Sequence, residues 1–518
     1  MTTPPEPRRP APGRPTPLLG DAGYPTAGSP LQARFTESIV ELPQGFVAQL
    51  EQVCPMVDTG DRARAEAGVD WWPLGALWML DGDDRSRRLP SLPGVVARPS
   101  CAEEVAAVLR LCSEHRVPVT PAGGRSGVCG AALAIHGGVA LDLCALSGIV
   151  GVDAVSGVVE VHAGTFGDAF ESELRSSHGL TLGHWPQSMA LSTVGGWLAC
   201  RSAGQFSTRY GKIEDMVVGL EVAMADGSLV RTGGAPRAAV GPDLTQLFVG
   251  SEGTLGVITR ALLRCHPPPA AEARAAYGFA DFASGIDACR RIVRRGATPA
   301  VLRLYDPAES ARSHHVNDRA VLLVLDEADP AIVAATMGIV AEECAAADRL
   351  DAALVEQWLQ HRNDVSALGA LLTKGWVVDT MEVAGPWSIL ADLYRDVLEA
   401  LGSVEGMRSA SAHLSHSYLD GACLYVTFAA RPPEPADGMA RERCYLEAWN
   451  TATGAVLASG AALSHHHGVG LNRHRFMPDA LGPALSVLNA IKGALDPTGV
   501  LNPGKLGQMD TFAELSWP

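Results

Sequence analysis

Apolar and polar residues follow a helical period early in the chain. In residues 100–112 apolar side chains recur at i, i+3, i+4 and i+7 from Val105, which is the spacing of an amphipathic helix. Ser100 and Glu103 have the spacing of a capping box, in which each side chain accepts a hydrogen bond from the backbone N–H of the other. The pattern predicts a helix that begins at Ser100 and buries one face.

Short β-branched runs between glycines predict strands around this helix. The predicted strands are residues 117–120, 158–161, 216–224 and 229–232. Asp226-Gly227 separates the last two strands, and this dipeptide is a strong signal for a two-residue β-hairpin. Residues from about 95 to 265 therefore predict a domain of mixed helix and strand with antiparallel pairing.

The pattern changes near residue 270. From there to about residue 474, helical segments such as 331–347 alternate with strands such as 320–325 and 422–428, which predicts a second domain. A last helix begins at residue 485 and ends at Asp496-Pro-Thr-Gly. The predicted divisions are a flexible Pro-rich tail at 1–31, a first domain at 32–270 with its core at about 90–270, a second domain at 271–474 and a C-terminal segment at 475–518.

Composition narrows the class of function. The 518 residues carry 41 Lys plus Arg against 57 Asp plus Glu, a formal charge of −16, and no dense basic run, which argues against nucleic acid as a partner. No apolar run approaches the length of about 18 residues that a spanning helix needs. The 11 cysteines are scattered and the N-terminus lacks a secretory signal, so we expect a cytoplasmic protein without an integral membrane segment.

Three glycine-rich segments fall within the first domain, at residues 121–127, 187–196 and 250–258. Glycine lets backbone N–H groups converge on an anion. Two of the segments are also rich in hydroxyls, so together they favour a large phosphorylated cofactor over plain turns. None has the Rossmann pattern G-x-G-x-x-G or the P-loop G-K-[ST], which disfavours a nicotinamide-dependent or ATP-dependent enzyme.

Three consecutive histidines, His465, His466 and His467, follow Ser464. A metal site is one interpretation, but adjacent strand residues point alternate ways, so at most two would bind one ion, and no Cys or carboxylate has ligand spacing nearby. A run of surface histidines is a plainer interpretation. The small flanking residues favour a pocket wall at which imidazoles carry protons or bind an anion. We expect no metal.

Longer motifs connect these segments to a known family. The stretches that carry the resemblance are GHWPQS at 183–188, STVGGW at 192–197, RSAGQ at 201–205, YGKIED at 210–215, GSEGTLG at 250–256, RLYD at 303–306, DGACLY at 420–425, the histidines at 465–467 and DPTGVLNPGK at 496–505. Between about residues 90 and 507 the chain resembles the FAD-linked oxidases of the vanillyl-alcohol-oxidase/p-cresol-methylhydroxylase (PCMH) superfamily. Within that superfamily it is most similar to the alkylglycerone-phosphate synthase branch.

This resemblance implies an α+β fold. A PCMH-type FAD-binding domain would consist of one α/β and one antiparallel subdomain, an α/β cap domain would form the substrate pocket over the flavin, and the C-terminal segment would return to the FAD domain. The implied FAD contacts are Pro121, Ala122, Gly123, Gly124, Arg125, Ser126, Gly127, Gln187, Ser188, Ser192, Thr193, Cys200, Arg201, Ser202, Ala203, Glu252, Gly253, Thr254, Gly256, Val257 and Ile258. Glycine amides and Ser/Thr hydroxyls also suit a pyrophosphate on physical grounds.

The same matching assigns the chemistry to the cap. The resemblance implies that Tyr425 is the acid/base tyrosine, that His465, His466 and His467 are active-site histidines, and that Arg303 is an arginine needed for activity. Taken alone, Tyr425 is better explained as a strand tyrosine packed in the core.

We hypothesise an FAD-dependent oxidoreductase that acts on a hydroxylated, anionic small molecule. Tyr425, assisted by His466, would remove the hydroxyl proton as hydride passes to flavin N5, and Arg303 would orient the anionic end. The alternative is a non-redox exchange of the alkylglycerone-phosphate synthase type, in which flavin N5 holds the substrate and the histidines assist loss of an acyl group. A flavin-binding protein without turnover is disfavoured by the joint presence of the tyrosine and the histidines. The oligomeric state stays open, with a homodimer as one candidate.

The chain departs from the family pattern in three segments. The ether-lipid enzymes have Gly-His-Glu-Pro-Asp-Ser where this chain has Trp185 and Gln187, so an acidic contact near the flavin is missing. Residues 366–372 lack the arginine that holds a substrate phosphate, and Arg362 is the nearest candidate, which argues against a phosphorylated ether-lipid substrate. Arg125 stands where covalent members often have a histidine, so we expect noncovalent FAD.

Overall fold

The computed structural model describes residues 16–20, 24, 30–81 and 88–513. Most of the predicted flexible tail at 1–31 lies outside these residues. Among the helices of the described ranges, none has both the length and the apolar character needed to cross a membrane.

The first half of the chain alternates short helices and strands. Its elements are α1 (Phe46–Val53), β1 (Val57–Asp58), α2 (Asp61–Ala67), α3 (Pro73–Met79), β2 (Val95–Ala97), α4 (Ala102–His115), β3 (Val119–Ala122), β4 (Val139–Asp142), β5 (Ile149–Asp153), β6 (Val158–His162), α5 (Gly167–His178), α6 (Val194–Cys200), α7 (Ser207–Tyr210), α8 (Ile213–Met216), β7 (Val217–Ala223), β8 (Leu229–Gly233), α9 (Leu244–Phe248) and β9 (Val257–Arg264).

The second half has longer elements. They are β10 (Ala271–Phe279), α10 (Phe282–Arg294), β11 (Val301–Tyr305), α11 (Pro307–His314), β12 (Ala320–Ala328), α12 (Pro330–Glu343), β13 (Asp348–Leu350), α13 (Ala353–His361), α14 (Ser366–Leu372), β14 (Val377–Pro386), α15 (Leu390–Gly402), β15 (Met407–Ser417), β16 (Gly421–Ala430), α16 (Gly438–Ala458), α17 (Met477–Leu481) and α18 (Ala484–Leu495).

Three sheets organise these elements, with strand orders β1-β2-β4-β3, β5-β6-β9-β7-β8 and β13-β10-β12-β11-β15-β16-β14. In the four-stranded sheet β4 pairs in parallel with both β2 and β3. Every pair in the five-stranded and seven-stranded sheets is antiparallel. The mixed α+β fold is therefore confirmed, and the alternating helices and strands of the second half build an antiparallel sheet.

The helix predicted from residue 100 is α4, and its apolar face is buried as its period requires. It begins two residues later than expected, at Ala102, because the extended Cys101 takes the N-cap position. The predicted capping box is wrong. The backbone N–H and the hydroxyl of Ser100 both donate to Glu104, at 2.7 and 3.1 Å, rather than pairing with Glu103.

The predicted hairpin joins β7 and β8, but its turn differs in length. Met224 and Ser228 pair through their backbones across a loop of residues 225–227, one residue longer than the expected two-residue loop. Gly227 closes the turn with a φ of 83°, a left-handed conformation that glycine adopts without steric cost. The carboxylate of Asp226 accepts the Ser228 N–H at 2.9 Å, so both residues of the signal stabilise the turn.

Alternation along the strands sorts the side chains of the seven-stranded sheet between two faces. On β16, Leu424 and Val426 are fully buried in an apolar cluster that includes α10, α15 and α16. Tyr425 points to the opposite face and pairs across the sheet with Glu382 on β14 and His413 on β15. Because directly opposite residues of neighbouring strands share a face, one row of polar side chains crosses three strands.

Segments from both ends of the chain tie the sheets together. Leu501 forms a parallel bridge with Val119, and Nζ of the buried Lys492 on α18 donates to the carbonyl of Thr254 at 2.9 Å. At the other end, Nε1 of Trp72 donates to the hydroxyl of Tyr445 on α16 at 2.9 Å. The C-terminal segment therefore packs against the first half, whereas the start of α3 packs against the second.

Candidate active site

A cavity of about 570 Å³ lies between the glycine-rich segments and the polar face of the seven-stranded sheet. The predicted cofactor-binding residues that line it are Pro121, Ala122, Gly123, Gly124, Arg125, Ser126, Gly127, Gln187, Ser188, Ser192, Thr193, Cys200, Ser202, Ala203, Glu252, Gly253, Gly256, Val257 and Ile258. Of the predicted catalytic residues, Arg303, Tyr425, His466 and His467 line it as well. The structure thus brings most of both groups together at one place.

Three predicted site residues are absent from the cavity lining. Nε of Arg201 lies 3.5 Å from the carboxylate of Glu214. The hydroxyl of Thr254 donates to the carbonyl of Ser251 at 2.8 Å. His465 lies behind the cavity wall, since only His466 and His467 of the histidine run reach the cavity. These three residues therefore do not face the interior of the cavity.

The first two glycine-rich segments lie in close contact with each other. A Cβ atom at Gly123 would come within 2.1 Å of Oγ1 of Thr193, and one at Gly124 within 1.9 Å of the carbonyl oxygen of Leu191. Any side chain at these two positions would push the segments apart. Gly127, later in the first segment, faces open space, because a Cβ there would meet nothing within 4 Å.

Arg125 adds a buried cation to this loop. It holds a left-handed φ of 51°, and its Nη1 lies 3.5 Å from the carboxylate of Asp142. Nε and Nη2 are buried without a hydrogen-bond partner. Buried donors of this kind are rare unless a ligand satisfies them, so the guanidinium beside the glycine cradle fits an anionic, phosphate-bearing cofactor.

Glu252 of the third glycine-rich segment uses its carboxylate within the protein. The two oxygens accept the backbone N–H groups of Val469 at 2.6 Å and of Gly470 at 2.9 Å. Burial raises the pKa of Glu252. Although Glu252 lines the cavity, its carboxylate holds the segment that follows the histidines against the first half of the chain.

Tyr425 lies between two imidazole rings. Its ring stacks on His413 at a centroid distance of 4.8 Å and an angle of 12°, and on His466 at 6.0 Å and 27°. Its hydroxyl donates to Oγ1 of Thr380 at 3.1 Å. Burial raises the pKa of Tyr425, so the phenol holds its proton at neutral pH.

Arg303 is held by two neighbours on the same face. Its Nε donates to the hydroxyl of Tyr305 at 2.7 Å, and its Nη2 donates to Nε2 of His413 at 2.6 Å. Since a guanidinium only donates, the proton of neutral His413 lies on Nδ1, where the carboxylate of Glu309 accepts it at 3.1 Å. Burial, followed by the charge of Arg303, lowers the pKa of His413.

The histidine run is neutral where it is buried. Nε2 of His465 lies 3.0 Å from the hydroxyl of Tyr418, and its Nδ1 lies 2.9 Å from Nδ1 of His466. Burial, followed by the charge of Lys212, lowers the pKa of His465 to about 3. Burial also lowers the pKa of His466 well below its usual value.

His416 approaches this run from β15. It holds a φ of 53° where the pairing register of β15 shifts, and its Nδ1 lies 2.7 Å from Oγ of Ser207. Ring nitrogens of His416, His465 and His466 lie within 4.8 Å of one another, a spacing that one metal ion could bridge. The histidine run supplies two of these residues, and the distant strand β15 supplies the third. The expected limit of two ligands for one ion therefore holds only for the histidines of the run. The expected absence of a metal stays a prediction.

Several polar residues of the site were not predicted from the sequence. They are Glu309, Thr380, Glu382, His413, His416 and Arg473. A signal existed for His413, because it interrupts an otherwise small or apolar strand pattern, SASAHLS, whereas Glu382 shares its pattern, VVDTMEV, with Asp379 and Thr380. Glu309 on the helix α11 and Arg473 in a loop carried no comparable signal.

Arg362 lies beside the cavity rather than in it. Its Nη1 donates to the side-chain oxygen of Gln205 at 2.7 Å, and its guanidinium lies 5.1 to 5.8 Å from the ring centroids of Phe206, Trp358 and Trp185. Burial lowers its pKa to about 10. Gln205 lines the cavity and Arg362 does not, so Arg362 supports Gln205 from behind.

The fold and this site define a flavoprotein of the PCMH type. The FAD binding domain family matches residues 93–233, and the family described as FAD linked oxidases, C-terminal domain, matches residues 268–506. The structure of p-cresol methylhydroxylase with substrate bound has a TM-score of 0.72 and 17% identity to this chain, with 91% of this chain and 99% of that chain covered. At this identity the likeness concerns the fold.

Two relatives in sequence identify the family. The chain is 31% identical over 452 residues to the uncharacterized FAD-linked oxidoreductase YgcU of Escherichia coli O157:H7, covering 82% of this chain and 92% of that protein. It is 29% identical over 464 residues to alkyldihydroxyacetonephosphate synthase of Dictyostelium discoideum, covering 82% of this chain and 74% of that protein. The chain belongs to the FAD-linked oxidase family, and the predicted cofactor, FAD, is confirmed.

Proposed function

We propose that this protein oxidises a hydroxylated small molecule that carries an anionic group. The observation that supports this is the arrangement of Arg303, Tyr425 and His466 around the same cavity that the glycine-rich cofactor segments line. A cation for the anionic end and a proton-transfer group for the hydroxyl therefore face one volume. Bound FAD supplies the acceptor for the hydrogen that leaves the substrate carbon.

Arg303 suits the anionic end of the substrate. Its guanidinium has five N–H donors, of which the contacts to Tyr305 and His413 use two. These contacts also hold it in place, so little side-chain entropy is lost when an anion binds. A carboxylate is the group that best matches the planar fork of the remaining donors.

The proton of the substrate hydroxyl needs an acceptor. Because burial raises the pKa of Tyr425, the phenol can take this proton only if its own proton moves on. His466 is half-buried and neutral, lines the same cavity, and its ring centroid lies 6.0 Å from that of the tyrosine, so we assign it as the next carrier of the proton. Because burial lowers its pKa, it passes the proton on rather than keeping it. The alcohol would thus lose one hydrogen with its electron pair to FAD and one proton to the Tyr425–His466 pair, which leaves a carbonyl product.

Arg125 supports the noncovalent attachment of FAD. It occupies the loop position at which a histidine would form a covalent link, and its guanidinium makes no covalent bond to a flavin under ordinary conditions. Its unpartnered Nε and Nη2 would bind the cofactor by charge and hydrogen bonds instead.

The domain limits at residues 270 and 474, a homodimer and a cytoplasmic location stay predictions.

A non-redox exchange is the second candidate, favoured by the 29% identity to an alkyldihydroxyacetonephosphate synthase. Against it, the segment at 366–372 has no arginine, and Arg362 is already engaged with Gln205. A dianionic phosphate would therefore lack the partner expected in that branch.

Anaerobic mixing with candidate substrates distinguishes the two functions. The panel is hydroxy acids, sugar acids, phenols and acyl-glycerone phosphates, and the flavin absorbance is recorded near about 450 nm. We expect a hydroxy acid to bleach the flavin and to give a carbonyl product in equal amount. Bleaching by an acyl-glycerone phosphate without any carbonyl product would favour the exchange reaction instead.

A further inference from the structure

One buried carboxylate organises the backbone of the histidine run. Glu382 on β14 is fully buried, and its Oε1 accepts the N–H groups of His465 at 3.2 Å, His466 at 3.1 Å and His467 at 2.7 Å. Three successive N–H groups that converge on one oxygen fix the path of the chain at that point. The Glu382 side chain therefore sets the distance between β14 and this loop.

Arg473 provides the opposite charge and holds both ends of the loop. Its Nη2 donates to Oε2 of Glu382 at 2.5 Å and its Nη1 donates to Oε1 at 3.0 Å. The same Nη1 donates to Oγ of Ser464 at 2.6 Å and to the carbonyl of Gly468 at 2.7 Å. Burial alone would raise the pKa of Glu382, but the charges and hydrogen bonds of Arg473 and His467 together outweigh burial and lower it, so the carboxylate is ionised.

The Glu382 carboxylate also contacts the imidazole ring of His467. Oε2 of Glu382 lies 2.8 Å from Nδ1 of His467. A contact at Nδ1 leaves the opposite ring nitrogen, Nε2, for a group in the cavity, which His467 lines. Glu382 is also the direct cross-strand partner of Tyr425, so the loop is held level with the tyrosine.

We propose that Glu382 is a positioning residue, which holds the rings of His466 and His467 in the orientation that meets the substrate hydroxyl in the cavity. This inference rests on the proposed function, because only that function makes the cavity a place of proton transfer. Arg473 keeps the carboxylate ionised and in place.

The test must separate positioning from stability. Glu382→Gln alone leaves the buried Arg473 uncompensated, which can prevent folding. The double variant Glu382→Gln/Arg473→Met removes both charges, a change that is often neutral for stability. Glu382→Asp keeps the charge pair but withdraws the carboxylate by one methylene.

Glu171→Gln serves as the matched control. Glu171 is a buried carboxylate that accepts the backbone N–H of Leu182 at 3.0 Å and Nε of Arg175 at 2.6 Å. Like Glu382 it joins an arginine to a backbone segment, but it does not line the cavity.

Histidine modification, turnover and thermal unfolding are measured on the FAD-loaded proteins. Diethylpyrocarbonate modifies accessible histidines, and the tryptic peptide 444–473, extended to residue 475 in the Arg473→Met variant, reports His466 and His467 separately. Turnover is measured with the substrate found by flavin reduction, and thermal unfolding is recorded in parallel. A mere loss of stability would lower the unfolding temperature without changing the ratio of modification at the two histidines.

We expect the double variant and Glu382→Asp to fold, to change this modification ratio, and to lose about 10²-fold in kcat with little change in KM. Glu171→Gln should keep the ratio and kcat of the parent. Folded variants with the parental ratio and kcat would overturn the positioning role. If the modification ratio changes but no hydroxylated substrate reduces the flavin, the positioning role is supported and the proposed oxidation is refuted.

Discussion

Replacing Tyr425 by phenylalanine removes one oxygen from the centre of the site. Within the described residues its hydroxyl makes one hydrogen bond, to Oγ1 of Thr380 at 3.1 Å, and the ring keeps its stacking on His413. A neutral hydrogen bond contributes a net of about 0.5–1.5 kcal/mol. The free energy of unfolding should therefore fall by about 1 kcal/mol, which leaves the protein folded and the flavin bound.

The effect on rate should be much larger. Loss of a positioned acid/base group typically costs about 10²–10⁴-fold, which corresponds to about 3–5 kcal/mol of activation free energy. This exceeds the expected loss of stability, so partial unfolding cannot produce it. Because the hydroxyl acts on the proton as it is transferred in the transition state, kcat should fall while KM changes little.

The assay is anaerobic stopped-flow flavin reduction with the substrate found in the panel. Tyr394→Phe is the matched control, since its hydroxyl also makes one hydrogen bond, to Asp306 at 3.3 Å, and does not line the cavity. Tyr394→Phe should reduce its flavin at the parental rate. If Tyr425→Phe does so too, the role assigned to this tyrosine is wrong and the proton acceptor must be sought among the histidines.

Four further predictions follow from the same geometry. His466→Ala should slow flavin reduction, because the acceptor for the tyrosine proton is lost; an unchanged reduction rate at saturating substrate would contradict this. Arg303→Ala should chiefly raise KM for an anionic substrate, because the charge acts on the ground state and transition state alike, and an uncharged analogue should show no such rise. Acid precipitation should release FAD to the supernatant, and flavin retained in the pellet would show a covalent link. Burial lowers the pKa of His184 and His465 to about 3, below the value of about 6.5 for an unfolded histidine. Protonation therefore favours the unfolded chain, so the stability tied to their neutral form is complete above about pH 6.5 and is lost as the pH falls toward about 3. The unfolding temperature should decline over that range, and a constant value would contradict the burial of neutral imidazoles.

The sequence by itself determined the family, the cofactor and the local elements. The apolar period of residues 102–115 specifies a helix without reference to the rest of the fold. Gly123 and Gly124 are required locally, since only a residue without Cβ allows the two glycine-rich segments to approach as closely as they do. Long ordered motifs such as DGACLY were enough to predict Tyr425 as a site residue, and it lines the cavity. The capping box was wrong and the hairpin loop is one residue longer than predicted, because the ends of helices and strands are the least certain part of a local pattern.

Only the tertiary structure decided which side chains act together. Glu382, His413 and Tyr425 lie as much as 43 positions apart and become neighbours through the pairing register of β14, β15 and β16. Register follows from how the whole sheet packs its apolar face, so no local pattern could predict this row. Glu382 had no assigned role in the sequence, since a carboxylate in a mostly apolar strand, which it shares with Asp379, gains meaning only from the backbone N–H groups and the arginine that the fold brings to it.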